Sequence, residues 1–558
     1  MCGIICICSN TQKKSHLLDS FQCFKDTIKN RGPDSFDVKT YDTKTRSLLL
    51  SASVLWLQGR CMTKQPLETV KAVLVYNGDI FGGLPDELVA KEGDTKLIFD
   101  LLRSNNKPSS VLCQLQGPYA FIYFDGEQEK LYFGRDVYGR RSLLIGKSRN
   151  EVIVLTSVAK RSKEFEFIEL PSIGTFSWDL KTDVFTVHPW QYYNPQFNTK
   201  LIQLKQFLNK EVAIEPNLEN CKYFKFTEPS VKQLALFTDI KNAETKNIFQ
   251  KLLNDTDWLK KVSTLKTLLE NSVEKRIATQ PKRCKDCIID DNPCRHSLTG
   301  VLFSGGVDCA ILALIADKFT DKDRPIDLIN VAFDESNSYK TPDRVTGLQT
   351  LEELRTLRPE RTWNFLEINV SRDELNEERS KRIADLIYPL QTVLDDSLGC
   401  ALWFASRAQH GTVQSSCRVL LVGMGADELF GGYTRHRAAL KRSSWSGLHD
   451  VLVEDWQNLA YRNLGRDDRV VSDHGRQLRT PYLDENVVKF VCSLNCWEKT
   501  YPSDEVPQGI GEKILLRSLA YHLGLKIAST FRKRALQFGS RIANKKENAH
   551  EVSERLCF

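Results

Sequence analysis

Short hydrophobic runs separated by turn residues dominate the first 190 residues of the chain. The clearest runs, each rich in aliphatic or aromatic side chains, are 48–50, 72–76, 119–124, 130–133 and 152–155. Turn signals at Asn77-Gly78 and Asp125-Gly126 follow two of them, which is typical of strands that end in tight turns. Segments 16–29 and 93–103 have the pattern of helices. Strands interleaved with a few helices predict layered sheets covered by helices.

The pattern changes twice in the second half of the chain. Residues 190–255 are polar and lack strong periodicity, which predicts a linker with irregular helix. From Trp258 the apolar residues recur at helical spacing, at Val262, Leu265, Leu269 and Val273. From Leu298 onwards strands and helices alternate, and this predicts a parallel, doubly wound sheet. Its predicted strands are 302–303, 328–333 and 419–422, and its first predicted helix is 310–318.

Composition and charge narrow the class of protein. A chain of 558 residues, 41% hydrophobic and 27% charged, is expected to form two or three globular domains. A formal net charge of +7 without a long basic block gives no indication of binding to nucleic acid or a membrane surface. We expect neither a membrane span nor a signal peptide, because no apolar stretch is long enough. The 16 scattered cysteines predict reduced thiols and a cytoplasmic location.

The second residue carries the first candidate chemistry. Cys2 follows the initiator Met1, and because Cys is small we expect Met1 to be removed. The Cys2 thiol would then belong to the same residue as a free α-amino group, which can act as its general base. A cysteine near a terminus is more often a small buried hydrophobe, so this pattern alone does not show whether Cys2 is a nucleophile.

Two glycine-rich motifs in the second half indicate a phosphate site. Ser304-Gly305-Gly306-Val307-Asp308 follows a predicted strand and opens a predicted helix, where backbone N–H groups favour an anion. Asp308 is placed to hold Mg²⁺ with pyrophosphate, and no Walker lysine is present. The second motif, 422–433, ends a strand in glycines and continues with two carboxylates, Asp427 being the first. Together they fit an ATP pyrophosphatase site, with Lys513 as the candidate cation; an ordinary turn and a surface lysine are the alternatives.

A short cysteine-rich insert precedes the first of these motifs. Cys284, Cys287, Cys294 and His296 have the side-chain types that bind zinc. The alternative is a reduced surface loop. The tight final spacing and the lack of a second hairpin signal favour that alternative.

Further short motifs in both halves of the chain accompany Cys2 and the two glycine-rich motifs. In all, the motifs are Cys2-Gly3-Ile4, Arg31-Gly32-Pro33-Asp34, Asn77-Gly78-Asp79, Gly93-Asp94, Gly134-Arg135-Asp136, SGGVD at 304–308, GADELFGGY at 425–433 and GEKILLR at 511–517. Together they resemble the glutamine-dependent asparagine synthetase family. The resemblance implies a class-II glutamine amidotransferase domain at 1–190, a linker with a helical hairpin and the cysteine-rich insert at 191–297, and an asparagine-synthetase-like ATP-binding domain at 298–558. The implied fold is α/β and α+β: an αββα-sandwich of the N-terminal-nucleophile type, then a doubly wound, Rossmann-like ATP-pyrophosphatase sheet.

The resemblance also implies how the first domain releases nitrogen from glutamine. Cys2 attacks the glutamine amide and forms a γ-glutamyl thioester. Asn77 and Gly78 form the oxyanion hole, where one donor is worth about 3–4 kcal/mol. The residues implied to bind glutamine are Arg31, Asn77, Asp79 and Asp94.

In the second domain the resemblance implies the use of ATP and Mg²⁺. Ammonia crosses an internal channel, ATP activates the side-chain carboxylate of aspartate, and ammonia displaces AMP to give asparagine. Lys513 is the implied catalytic cation, and Asp308 and Asp427 are the implied metal ligands. The residues implied to hold ATP and pyrophosphate are Leu302, Ser304, Gly305, Gly306, Asp308, Val331, Val422, Gly423 and Asp427. The implied partners are the small molecules glutamine and aspartate.

Three positions depart from the family pattern. Met424 stands where the family has a Glu needed for acyl-adenylate chemistry, and Cys309 replaces a Ser. Residues 54–57 contain no Arg to clamp the glutamine carboxylate, and Arg60 is offset from that position. Two alternatives therefore stand beside asparagine synthesis: a weakened synthetase that acts as a nucleotide-binding or regulatory protein, and an amidoligase for another carboxylate.

Overall fold

Two sheets, antiparallel except for one parallel pair, face each other in the N-terminal part of the chain. The structure, a computed structural model, describes residues 2–10, 15–105, 107–149, 151–191, 194–215, 224–241, 245–288, 294–507, 509–543 and 547–557. Met1, whose removal the sequence predicts, lies outside the described residues.

The strands, in chain order, are β1 (Gly3–Asn10), β2 (Ser35–Asp42), β3 (Arg46–Val54), β4 (Leu67–Glu68), β5 (Ala72–Gly78), β6 (Tyr119–Asp125), β7 (Lys130–Arg135), β8 (Leu144–Ser148), β9 (Ile153–Thr156), β10 (Phe165–Glu169), β11 (Gly174–Asp179), β12 (Val184–Pro189), β13 (Val212–Ile214), β14 (Thr299–Leu302), β15 (Ile326–Ala332), β16 (Trp363–Asn369), β17 (Gln409–His410), β18 (Val413–Gln414), β19 (Val419–Leu421) and β20 (Gln477–Arg479). The helices are α1 (Ser15–Gln22), α2 (Lys25–Arg31), α3 (Asp86–Glu92), α4 (Asp94–Ser104), α5 (Pro108–Leu112), α6 (Phe197–Leu208), α7 (Val231–Lys241), α8 (Thr245–Asn254), α9 (Thr256–Ala278), α10 (Val307–Phe319), α11 (Pro342–Leu357), α12 (Arg372–Glu378), α13 (Ala384–Ile387), α14 (Val393–Arg407), α15 (Ala426–Phe430), α16 (Thr434–Arg462), α17 (Leu464–Ser472), α18 (Glu485–Ser493), α19 (Ile514–His522) and α20 (Leu536–Gly539).

Strand β1 lies inside the first sheet, whose spatial order is β10-β8-β9-β1-β3-β2. The second sheet has the order β13-β12-β11-β7-β6-β5-β4. Side chains alternate between the two faces of a strand, so Ile4 packs inward with Val73 and Val75 of the second sheet. Ile5 packs on the opposite face, which helix α2 covers. The same alternation places Cys2 between the two sheets.

Helix α4 covers the outer face of the second sheet. Its apolar residues Ile98 and Phe99 pack against Leu74 of β5 and Phe121 of β6. With α2 outside the first sheet, the layers are helix, sheet, sheet and helix. This confirms the predicted αββα-sandwich, and the predicted helix at 16–29 is divided into α1 and α2.

A five-stranded parallel sheet forms the core of the C-terminal part, in the order β16-β15-β14-β19-β20. The central strand β14 pairs on one side with β15, Leu302 facing Ile329, and on the other with β19, Val301 facing Leu421. The carboxyl ends of these three strands therefore lie at one edge, where ligands bind in open α/β sheets. The doubly wound fold predicted from the alternating pattern is confirmed.

Helix α9 connects the two parts of the molecule. Its apolar positions Val262, Leu265, Leu269 and Val273 are all fully buried, as their spacing predicts. They belong to the same core cluster as helices α10 and α19. Upstream of it, β13 extends the second sheet of the N-terminal domain by pairing in parallel with β12. No helix within the described residues is both long and apolar enough to cross a membrane.

Buried and partly buried ion pairs join the two domains. They include Arg31–Asp468 at 2.7 Å, Asp79–Arg479 at 3.1 Å, Arg140–Glu485 at 2.5 Å and Asp34–Arg418. Removing one partner of a fully buried pair, such as Arg31–Asp468 or Asp79–Arg479, leaves an uncompensated buried charge, which costs about 3–5 kcal/mol. The pairs therefore fix one orientation of the domains.

Candidate functional site

The N-terminal site forms where the start of β1 lies between the two sheets. Cys2 is only 8% exposed. Its carbonyl oxygen accepts a hydrogen bond from Arg31 Nε at 3.3 Å, and Arg31 continues to Asp468 of the other domain. Burial raises the pKa of the Cys2 thiol. Cys2 therefore stays protonated at neutral pH unless a base accepts its proton.

Gln65 links the Cys2 thiol to strand β5. Its amide nitrogen lies 3.7 Å from Cys2 Sγ, and its amide oxygen accepts a hydrogen bond from the Tyr76 N–H at 2.7 Å. The thiol is thus held close to the end of β5. Sequence reasoning missed Gln65, because it lies in a loop between strands and belongs to no motif.

The carboxamide of Asn77 is buried without a hydrogen-bond partner among the described residues. Its side chain is 0% exposed, and both Nδ2 and Oδ1 lack a partner there. Such a group costs about 1–3 kcal/mol when left unpaired, so native proteins keep one for a reason. Gly78 follows at the end of β5, paired with Tyr119 across the sheet. We interpret the unpaired amide as a donor prepared for a developing oxyanion.

Asp94 begins helix α4 and faces the same region. Its carboxylate accepts hydrogen bonds from the Ile80 N–H at 3.0 Å and the Thr95 hydroxyl at 3.1 Å. Burial, reinforced by the charge of Asp79, raises the pKa of Asp94 to about 7. A bound ammonium group would favour the ionised form, so the site suits an α-amino group.

Asp79 and Arg31 face the domain boundary. The two carboxylate oxygens of Asp79 lie 3.2 Å from Arg141 Nη2 and 3.1 Å from Arg479 Nη2. Asp79 is therefore already paired, whereas Arg31 keeps one buried nitrogen, Nη1, without a hydrogen-bond partner among the described residues. The roles of both residues toward glutamine stay predictions.

Trp56 occupies the turn after β3, where the sequence lacks a clamping Arg. Its N–H donates to Asp34 at 2.7 Å, and its carbonyl accepts from Arg418 Nη2 at 3.2 Å. The indole N–H donates to the carbonyl of Gln58 at 3.0 Å. Arg60 is exposed beyond this turn. The turn is thus fixed by the other domain, and residues 54–57 present no guanidinium to a carboxylate.

The C-terminal site begins in the loop between β14 and α10. Gly305 has φ +79°, and a Cβ there would lie 2.5 Å from the backbone nitrogen of Gly347, so only glycine fits. The Ser304 hydroxyl accepts a hydrogen bond from the Gly306 N–H at 3.4 Å. Cys309 turns its thiol to the Gly306 carbonyl at 3.2 Å, and burial raises the pKa of Cys309 to about 11. The thiol thus closes the loop rather than facing a phosphate.

Lys513 connects the two glycine-rich motifs. Its ammonium nitrogen lies 2.7 Å from Asp308 Oδ2 and 2.8 Å from Asp427 Oδ1, and its side chain is 0% exposed. Although burial alone would raise it, Lys513 and Lys533 bring the pKa of Asp427 down to about 2. A Cβ on Gly432 would lie 1.8 Å from Asp427 Oδ1, so the second Gly-Gly pair makes room for this ion pair. The structure thus brings together three residues that the sequence assigned to one site.

The Asp308 and Asp427 carboxylates fit a Mg²⁺ site. Both are oxygen ligands from adjacent strand ends, the type that Mg²⁺ prefers together with phosphate oxygens. Asp308 Oδ1 is buried without a hydrogen-bond partner among the described residues. An unpaired carboxylate oxygen next to a phosphate-type loop is available as a metal ligand.

The predicted nucleotide-binding aliphatic residues lie at the same edge of the sheet. Leu302 ends β14, Val331 is the second-last residue of strand β15, and Val422 follows β19. Gly423 lies next to Asp308. Met424 is partly buried and packs against two apolar clusters, one that includes Leu429 and one that includes Val422.

Two further charged side chains belong to this site. Glu428 accepts a hydrogen bond from the Tyr433 hydroxyl at 2.7 Å, and burial with the charge of Asp427 raises the pKa of Glu428 to about 7. Burial lowers the pKa of Arg517 to about 10, and its Nη2 is buried without a partner among the described residues. Sequence reasoning assigned neither residue a role, although both stand inside motifs it had identified.

Comparison with known proteins matches two separate parts of the chain to two protein families. Residues 1–167 match a glutamine amidotransferase domain family, and residues 297–446 and 440–556 match the asparagine synthase family. The chain is 38% identical to an asparagine synthetase domain-containing protein of Drosophila melanogaster, covering 100% of both. It is 36% identical to asparagine synthetase domain-containing protein 1 of Homo sapiens, covering 100% of this chain and 97% of the human protein. A glutamine-hydrolyzing asparagine synthetase of Mus musculus is 23% identical, covering 89% of this chain and 78% of that protein.

Proposed function

Because the chain belongs to the family of asparagine synthetase domain-containing proteins, we propose that it transfers the amide nitrogen of glutamine to the side chain of aspartate, forming asparagine at the expense of ATP. The products are glutamate, AMP and pyrophosphate. The observation that carries the proposal is the pairing of the buried Lys513 with the partly exposed carboxylates of Asp308 and Asp427 at the edge of the parallel sheet. It combines the charges required to hold Mg²⁺ and to stabilise a phosphate that is being displaced.

In the N-terminal domain Cys2 is the proposed nucleophile. Removal of Met1 would free the α-amino group of Cys2, which takes the thiol proton as sulfur attacks the glutamine amide carbon. Asn77 and Gly78 stabilise the oxyanion, and the protonated amine then delivers the proton to the departing ammonia. Water hydrolyses the thioester to glutamate. Asp94 binds the substrate ammonium and thereby orients the amide toward sulfur.

In the C-terminal domain the acceptor carboxylate attacks the α-phosphate of ATP and displaces pyrophosphate. Ammonia then attacks the acyl carbon of the resulting acyl-adenylate, displaces AMP and forms the amide. The loop at Ser304–Gly306 would hold the pyrophosphate through its hydroxyl and backbone N–H groups. Asp308 and Asp427 would hold Mg²⁺, and Lys513 would stabilise negative charge that develops on the α-phosphate. Leu302, Val331 and Val422 would contact the nucleoside.

The domain boundary offers a physical basis for coupling the two reactions. Arg31 contacts the Cys2 carbonyl on one side and Asp468 on the other, so a shift of the C-terminal domain would move the backbone that carries the nucleophile. Asp79, which lies two residues after Asn77, pairs with Arg479 of the C-terminal domain. Ammonia would cross this boundary between the two sites.

A panel of carboxylates tests the choice of acceptor. ATP–pyrophosphate exchange should depend on aspartate more than on any other carboxylate tested. Exchange with a different carboxylate alone would favour an amidoligase for that acid, an alternative that Met424 supports. Binding of ATP without exchange for any acid would favour a nucleotide-binding regulatory protein.

The pKa of Asp94 predicts how glutamine binding depends on pH. Because this pKa is raised to about 7, the carboxyl becomes protonated as the pH falls below 7 and loses its attraction for the substrate ammonium. The KM for glutamine is expected to rise about tenfold per pH unit below 7. In Asp94→Asn the KM should be high and insensitive to pH between 6 and 8. An unchanged KM in this variant would remove Asp94 from the glutamine site.

The departure from the family pattern at Met424 predicts that a Glu at this position raises aspartate-dependent turnover. Replacing it with Glu would restore the carboxylate that the family pattern has in this loop, at the edge of the sheet. Aspartate-dependent turnover is expected to rise about tenfold in Met424→Glu, equivalent to ~1.4 kcal/mol. Met424→Gln, similar in size but uncharged, is the matched control and should show no gain. Equal turnover of both variants and the parent would place Met424 outside the acceptor pocket.

A further inference from the structure

Four metal-ligating side chains meet in the segment between α9 and β14. The ligand atoms of Cys284, Cys287, Cys294 and His296 all lie within 4.8 Å of one another. Cys284 Sγ is 3.3 Å from His296 Nδ1, and Cys287 Sγ is 3.5 Å from the same nitrogen. All three cysteines are free thiols, and Cys284 and Cys294 are buried.

These separations suit a tetrahedral metal. With Zn–S near 2.3 Å and Zn–N near 2.0–2.1 Å, a tetrahedral site places sulfur and nitrogen about 3.5 Å apart. The sequence spacing favours a reduced surface loop, but such a loop does not require three thiols and an imidazole from its two ends to converge on one point. The sequence pairs Cys284 with Cys287 and Cys294 with His296, so each end of the loop contributes two ligands.

We propose that Cys284, Cys287, Cys294 and His296 bind one Zn²⁺ ion in a closed, structural site. Three thiolates and one imidazole fill the four positions that zinc uses in structural sites and leave none for water or substrate. Soft sulfur ligands in tetrahedral geometry select zinc over magnesium or calcium. Binding would release the thiol protons, because only thiolates ligate.

Arg324 provides the outer contacts that such a site needs. Three thiolates and Zn²⁺ carry a net charge of −1, and Arg324 Nη1 lies 3.7 Å from Cys294 Sγ. The same nitrogen donates to the carbonyl of His296 at 3.1 Å, and Nη2 donates to the carbonyl of Lys282 at 3.1 Å. Arg324 thus holds the backbone at both ends of the loop while opposing its charge.

The site would anchor the start of two strands that carry the nucleotide site. The Lys285 N–H donates to the Ser416 carbonyl at 2.9 Å, and the Ser416 hydroxyl donates to Asp286 at 2.6 Å, just before β19. On the other side Ser297 donates to the Thr299 carbonyl at the start of β14. Zinc would therefore fix the amino ends of β14 and β19, far from the reacting groups at their carboxyl ends. Its proposed role is stability rather than chemistry.

Metal content of the purified, reduced full chain tests the proposal. Elemental analysis by mass spectrometry should find about one zinc per chain without added metal. Cys287→Ser, which changes the more exposed thiol, and Cys284→Ser should each lose at least tenfold in bound zinc. Cys23→Ser and Cys113→Ser, at exposed cysteines outside the cluster, are matched controls and should retain it.

Removal and return of the metal in the parent protein test the site without any variant, so the result does not depend on whether a variant folds. Zinc removed from the parent protein with a chelator should lower its Tm, and Zn²⁺ but not Mg²⁺ should restore it. Co²⁺ in place of zinc should give the sulfur-to-cobalt charge-transfer and d–d absorption of a tetrahedral thiolate site. A folded parent that contains no zinc and takes up neither Zn²⁺ nor Co²⁺ would overturn the proposal, as would full zinc content in Cys284→Ser and Cys287→Ser.

Discussion

Cys2→Ala is expected to abolish the release of glutamate from glutamine, lowering the rate on the order of 10³-fold or more. The reason is that Cys2 supplies the sulfur that forms the covalent intermediate, and Ala leaves only the oxyanion hole and substrate binding. Amidation with added ammonium salt should persist, because the C-terminal site does not use the thiol. Glutamate release and ammonium-dependent product formation are measured on the same preparation.

Cys6→Ala is the matched control for this variant. Cys6 lies on the same strand β1, is 1% exposed and faces the same inter-sheet core. It has no proposed contact with glutamine, so glutamate release should stay near the parent value. Glutamate release by Cys2→Ala at the rate of Cys6→Ala would remove the proposed nucleophile. A purified parent that retains Met1 by intact-mass analysis would remove the proposed base.

Lys513→Met is expected to lower ATP–pyrophosphate exchange about 10²–10³-fold while glutamate release from glutamine is retained. Lys513 is the one residue that contacts both Asp308 and Asp427 among the described ion pairs, and Met keeps its length without its charge. Loss of the ammonium leaves two carboxylates facing each other, so the pKa of Asp427 should rise from about 2. Exchange is measured by incorporation of labelled pyrophosphate into ATP.

Lys526→Met is the control for charge alone. Lys513 directly precedes helix α19, and Lys526 follows the same helix. Lys526 is exposed and contacts neither Asp308 nor Asp427 among the described ion pairs. Exchange should be unchanged in this variant. Equal loss of exchange in both variants, or equal loss of exchange and glutamate release in Lys513→Met, would contradict a separate nucleotide site built around Lys513.

The elements near each site were predictable from local pattern. The hydrophobic runs at 72–76 and 119–124 correspond to β5 and β6, and the run 328–333 to β15. Helical spacing from Trp258 predicted the buried face of α9. These signals are local, because strand and helix periods are properties of neighbouring residues. The division of 16–29 into two helices was not predicted, since no Gly or Pro marks the break.

Contacts across the domain boundary could not be read from the sequence. The Arg31–Asp468 and Asp79–Arg479 pairs join residues 437 and 400 positions apart. Gln65 reaches Cys2 from the loop between β3 and β4. Such contacts depend on how the sheets pack, not on spacing. The same holds for the cluster at Cys284, where sequence spacing favoured a reduced surface loop and the structure brings the four candidate ligands together. The expectations of a cytoplasmic location and of an aspartate acceptor stay predictions.

Isotope transfer within one reaction tests the central claim most directly. The full chain is given glutamine labelled with ¹⁵N in its amide, ATP, Mg²⁺, aspartate and an equal concentration of unlabelled ammonium, and asparagine is analysed by mass spectrometry. We predict asparagine that carries ¹⁵N with little dilution, and one AMP for each glutamate. Formation of glutamate without asparagine, or asparagine whose nitrogen comes mainly from the unlabelled ammonium, would contradict a protein that passes nitrogen from Cys2 to the ATP site.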